Sequence, residues 1–182
     1  MSVGFGVWRY LLKRETVIKN NLRFENLAYI EDRLFQLDLF GVVNRVSHAE
    51  IVLYYYVQHN DSIMHSGKKN FGKYVPWLWT YIERLTGLIN DLDIPDSAII
   101  VLEGQRNFAI ISLLGSSIKY CPVSVTKDAL AKLKTIDGAY PMQIIGVRSW
   151  IRTARRLMNH SHLWLFLCRI FHIIPSSVRQ KL

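Results

Sequence analysis

The sequence predicts an α+β fold, a small mixed or antiparallel sheet packed with helices. Three observations predict it. Phe35, Leu37 and Leu39 alternate with Gln36 and Asp38, the period of a half-buried strand. The run Ile51 to Val57 is rich in β-branched and aromatic residues and reads as a buried strand. From Lys73 onward the period becomes helical, so strands and helices follow one another in blocks.

In chain order, residues 1–23 form a basic, aromatic N-terminal arm, and residues 24–182 form one α+β domain whose basic helical end spans 142–182. Asn44 to His48 connects the first two strands, and residues 59–62 and 66–72 have loop composition. Trp77, Leu78, Tyr81, Ile82, Leu85, Leu88 and Ile89 fall on one helical stripe, with Pro76 placed in the first turn. Pro95 closes that helix. Ile99 to Leu102 then reads as a strand, and Phe108 to Leu114 as a second apolar segment ended by Gly115. Thr126 is positioned to cap a short helix over Asp128 to Leu133. Arg148, Arg152, Arg155 and Arg156 share one helix face, opposite Trp150, Ile151, Ala154, Leu157 and Met158. A last apolar segment runs from Leu163 to Ile174 and stops at Pro175.

Charge is segregated. The chain of 182 residues carries 23 lysines and arginines against 14 carboxylates, a net of +9. Residues 1–23 hold five basic side chains and one acid, Glu15; from Gly138 to Leu182 there are seven basic side chains and no carboxylate. Two basic ends around a nearly neutral middle point to a polyanionic partner: an anionic membrane surface, nucleic acid or nucleoprotein. At the N-terminal end, Phe5, Trp8 and Tyr10 suit a lipid interface while Arg9, Lys13, Arg14 and Lys19 suit headgroups; a helix packed on the core accounts for the same residues equally well.

Several classes are set aside. Neither Ile51–Val57 nor Leu163–Ile174 reaches the ~20 apolar residues of a membrane span, and the second carries Arg169 and His172. Arg9, Lys13 and Arg14 interrupt the first apolar run, so no signal-peptide core is expected. Cys121 and Cys168 make neither a disulfide framework nor a metal-ligand spacing, and His160 and His162 have no nearby acid or cysteine to complete a site, so no cofactor or metal is expected. No Walker loop, dinucleotide fingerprint or nucleophile elbow occurs.

One enzyme alternative stays open. Ile99 to Gln105, with Glu103 ending an apolar strand, resembles the central acidic strand of ribonuclease-H-like resolvases, which implies Glu103 as a metal ligand. Asp38 would stand for the acid of that family's first strand, but no acid follows Asp137 to supply the last. A basic nucleic-acid-binding module is a further alternative.

Residues 108–125, FAIISLLGSSIKYCPVSV, resemble a segment of rhabdovirus matrix proteins, in which a phenylalanine, an apolar run, Leu-Gly-Ser-Ser, a lysine and a proline lead into an exposed apolar loop. The order of a basic arm, an aromatic strand and a helix is similar too. The match covers about a tenth of the chain. The Pro-Pro-x-Tyr budding motif of animal members is missing, which suits a divergent or plant-infecting relative. The resemblance implies a non-catalytic structural protein that bridges membrane and viral nucleocapsid, self-associates, and drives virion assembly and budding. It would reside beneath the virion envelope and at host membranes, in the cytoplasm and also the nucleus. Carried onto this chain, Pro122, Val123, Ser124 and Val125 would be the self-association loop.

Overall fold

A computed structural model describes residues 6–27, 30–47, 50, 52, 54–55, 57, 71–91, 94–143 and 149–175. All regular structure among them is helical, so the expected α+β class is corrected to all-α. The chain forms two compact units, Met1–Ser66 and Gly67–Leu182.

In the first unit a 3₁₀ turn, Val7–Arg9, precedes helices α1 (Arg14–Lys19) and α2 (Glu31–Val42). The end of α1 follows from Asn21, whose left-handed φ of 48° is tolerated by asparagine. Leu22 N–H then donates to Val17 O at 3.0 Å and Asn21 N–H to Ile18 O at 3.1 Å, a Schellman closure. That turn drops Leu22 into a small core with Phe35 and Leu39, against which Val7, Val17, Val42 and Val43 pack. Phe24 stacks on Phe35 with ring centroids 4.3 Å apart.

The alternation at Phe35–Leu39 lies inside α2. Five residues are too few to separate a period of 2 from 3.6, and the buried set Leu34, Phe35, Gln36 and Leu39 is helical. Glu31 and Asp32 in its first turn complement the helix dipole. Among the described residues no strand occurs that could serve as a ladder partner. Val52, Tyr54, Tyr55 and Val57 are exposed and in no strand; Ile51, Leu53 and Tyr56 lie outside the described residues.

The second unit contains α3 (Phe71–Ile89), α4 (Asp96–Tyr120), α5 (Val123–Thr135), α6 (Ser149–Asn159) and α7 (Ser161–Ile173). The expected stripe of α3 is present: Leu78, Tyr81, Ile82 and Leu85 are buried. The helix starts at Phe71, so Pro76 lies in its second turn rather than its first. The predicted strand at Ile99–Leu102 and the apolar segment at Phe108–Leu114 belong to one 25-residue helix, α4. Gly104 faces open space inside it and weakens the helix without ending it. The deciding signal is the long-range stripe Arg106, Ala109, Ile110, Leu113, Leu114, Ser117, which spans the whole second half. Helix α4 is the centre of the unit, in contact with α3, α5, α6 and α7.

Helix α5 begins at Val123, so Thr126 is an interior residue rather than a cap. Its buried hydroxyl donates to Ser117 Oγ at 2.9 Å, and Ser117 Oγ donates to Leu114 O at 2.8 Å, joining α5 to α4. Thr126, Ala129, Leu130 and Leu133 form the buried face.

Residues 136–143, which follow α5, are held by side chains. Arg106, buried in mid-α4, donates from Nη2 to Gly138 O at 2.6 Å and from Nη1 to Thr86 Oγ1 of α3 at 3.4 Å. Burial pulls its pKa down, while Glu103 and Asp137 push it back up. Asn107 Nδ2 and Arg155 Nη1 both donate to Gln143 O, at 3.3 and 2.9 Å. Asn159 grips the backbone of Met142 twice: Met142 N–H donates to its Oδ1 and its Nδ2 donates to Met142 O, each at 2.8 Å. Tyr140 Oη donates to Met158 O at 2.6 Å.

Replacing Arg106 by Met leaves the Gly138 carbonyl and Thr86 hydroxyl without this donor, an expected loss of about 3 kcal/mol in chemical denaturation. Gly138 has a φ of 62°, yet an added Cβ would meet only the Arg106 guanidinium at 3.7 Å. Gly138→Ala is therefore expected to cost only the backbone term, about 1 kcal/mol, in the same measurement.

Candidate functional site

The sequence-nominated residues fall into separate places. In the first unit Trp8, Arg9, Lys13, Arg14 and Lys19 are exposed, as are Leu11, Leu12 and Ile18; Phe5 lies outside the described residues. The segment is anchored rather than free. Tyr10 meets Phe40 edge-on at 5.8 Å and accepts from Gln36 Nε2 at 3.3 Å. Burial pushes the Tyr10 phenol pKa up, partly offset by Arg9.

Pro122, Val123, Ser124 and Val125 are not a loop. Pro122 is the N-cap of α5 and the other three form its first turn, so the expected self-association loop is corrected to a helix start. Proline just before a helix suits this position, because its fixed φ and missing N–H cost nothing there.

The basic face of α6 is divided. Arg152 and Arg156 are exposed, whereas Arg155 is buried and 2% exposed. Arg148 lies outside the described residues. Sequence spacing places Arg155 at the margin of the arginine face, about 100° from Arg156, and there it falls within the sector that also buries Met158. Burial pulls its pKa down, and it bonds Gln143 O from inside the unit. Arg155 is a structural residue.

Sequence reasoning did not single out the outer face of α7. Leu163, Phe166, Ile170 and Ile173 are 43%, 58%, 46% and 82% exposed. They recur at helical spacing, so they form one stripe. Trp164 and Cys168 on the opposite side are buried. His162 and Arg169 are exposed beside the stripe. The signal was present as an apolar segment; which half of it faces outward depends on packing against α5 and α6.

The enzyme alternative loses its premise. Glu103 lies within α4, half-buried beside Arg106, rather than at a strand end. Among the described residues no three His, Cys, Asp or Glu side chains gather as a metal site. His160 and His162 border an open depression lined by Asn159 to Leu163. Among the described residues one helix, Asp96–Tyr120, is long and apolar enough to cross a membrane. Its buried Arg106 and Asn107, bonded to Gly138 and Gln143, make it the core helix of this unit. Comparison with protein-family models, curated proteins and solved structures finds no match to this chain.

Three outcomes check this placement. Arg155→Glu is expected to lower the unfolding midpoint by the equivalent of about 3 kcal/mol, while Arg156→Glu stays within about 0.5 kcal/mol. Burial pushes the Cys121 thiol pKa up and raises Cys168 from 9.0 to about 11. Both thiols should resist an aromatic disulfide reagent at about pH 8 until denaturant is added. The folded state keeps the Cys168 proton longer than the unfolded chain does. Stability present below pH 9.0 is therefore lost as pH rises towards about 11, and Cys168→Ala should remove that part of the loss.

Proposed function

We propose that this chain is a matrix-type structural protein. It docks peripherally on an anionic membrane, contacts a viral nucleocapsid, and associates with further copies of itself in virion assembly and budding. The observation that carries this reading is that exposed cations and exposed large apolar side chains share the same two segments. Trp8, Leu11 and Ile18 accompany Arg9, Lys13, Arg14 and Lys19; Phe166 and Ile170 accompany Arg152, Arg156 and Arg169. Such a mixture suits the boundary between headgroups and acyl chains, where cations meet phosphate and apolar groups leave water.

The similarity of residues 108–125 to matrix proteins supports the reading at the level of sequence alone, since the aromatic strand in the similar order of elements is not formed at Val52, Tyr54, Tyr55 and Val57. No step of the proposed function requires catalysis. Each basic residue close to an anionic leaflet contributes about 1 kcal/mol, so a handful is sufficient for reversible docking. Multivalent assembly then converts weak, salt-screened contacts into firm adhesion.

Co-sedimentation of the full chain with vesicles tests this reading. Binding is expected with phosphatidylserine and not with phosphatidylcholine alone, weakening from low to physiological salt, with oligomers in the pellet. A monomeric protein that ignores both vesicle types would overturn it. Arg152→Glu with Arg156→Glu, at positions that leave Arg155 in place, should weaken binding about tenfold or more.

A further inference from the structure

We infer that the outer stripe of α7, Leu163, Phe166, Ile170 and Ile173, is the element that enters the lipid surface, lying in the plane of the headgroups. This rests on the proposed membrane docking and assigns that contact to one helix face.

Length excludes a span. Thirteen residues reach about 20 Å as a helix, short of the ~30 Å hydrocarbon core. Packing excludes insertion of the whole helix. Trp164 and Cys168 are buried in the protein, and α7 contacts α4, α5 and α6. What is left outward is a single apolar row, the geometry of a helix half sunk in an interface.

Charge selects the occupant. His162 and Arg169 border the row, Arg152 and Arg156 are exposed on the preceding helix, and no carboxylate occurs from Gly138 to the last residue. A second copy pairing through the same face of α7 would set the arginines of α6 and α7 against their own copies, because a twofold contact apposes a surface with itself and neither helix carries a carboxylate. An anionic lipid surface neutralises those cations while taking up the apolar row.

Sequence reasoning left open which basic end meets lipid; this assignment gives that contact to the C-terminal end. The residues lie on the outside of the fold, so polar replacements there leave the buried network untouched.

The test uses the full chain and vesicles of phosphatidylcholine with and without phosphatidylserine. Phe166→Ser with Ile170→Ser is expected to reduce binding to anionic vesicles at least tenfold, with helicity and thermal unfolding unchanged. Independently, a nitroxide placed at Phe166→Cys should become more accessible to oxygen and less accessible to a polar nickel chelate when anionic vesicles are added. A nitroxide at Lys127→Cys, exposed on α5, should not change in this way. The native thiols at Cys121 and Cys168 are buried and are expected not to take the label. Vesicle binding by the unmodified protein that the double variant retains, with the label at 166 unaffected, overturns this assignment and leaves the proposed function standing. A double variant that binds vesicles normally but no longer dimerises also overturns it, giving the stripe to a second copy. Absence of vesicle binding by the unmodified protein overturns both.

Discussion

The buried guanidinium of Arg106 ties together three parts of the second unit that share no regular backbone pairing. It sits on the central helix, bonds Thr86 of α3, and holds the carbonyl of Gly138. A helical unit with few long-range backbone bonds needs such side-chain ties to fix its connections, because a loop carbonyl turned inward must find a donor. Arginine suits the task better than lysine, since its planar fork supplies two divergent donors from one side chain. The cost is desolvation, visible in the lowered pKa and offset by Glu103 and Asp137.

Beyond Gly138, further side-chain bonds hold the segment up to Gln143. Tyr140 reaches Met158, Asn159 closes around Met142, and Asn107 and Arg155 share the Gln143 carbonyl. These bonds seat α6 against α4, and α6 in turn seats α7. The outward aim of Phe166 and Ile170 is thus a consequence of a polar network inside the unit. Among the described residues, the Nε atoms of Arg106 and Arg155 are buried without a hydrogen-bond partner, so the network is held at some energetic cost.

The two buried arginines change how the net charge should be read. A formal +9 counts every cation equally. Arg106 and Arg155 are interior, so their charge serves loop carbonyls rather than a partner. The cations that face outward on α6 and α7 are Arg152, Arg156 and Arg169. On the surface, Lys132 pairs with Glu83 at 2.9 Å and lies over the Trp79 ring at 4.4 Å, so it too is partly engaged.

The sequence by itself determined the segregation of charge to the two ends, the long stripe of α3, and the helical nature of the arginine-rich segment. Each is a property of composition or of a period sustained over several turns, and neither needs a distant partner to be read. The tertiary structure decided the class. Runs such as Phe35–Leu39 and Ile99–Leu102 are too short to distinguish a strand from a turn of helix, and a strand exists only if another segment pairs with it. Tertiary structure also decided which arginines serve the interior. The carbonyl that Arg106 binds lies 32 positions away, and the one that Arg155 binds lies 12 positions away. It decided as well which half of α7 faces outward. Burial depends on what a residue meets across the fold, and local spacing carries no record of that.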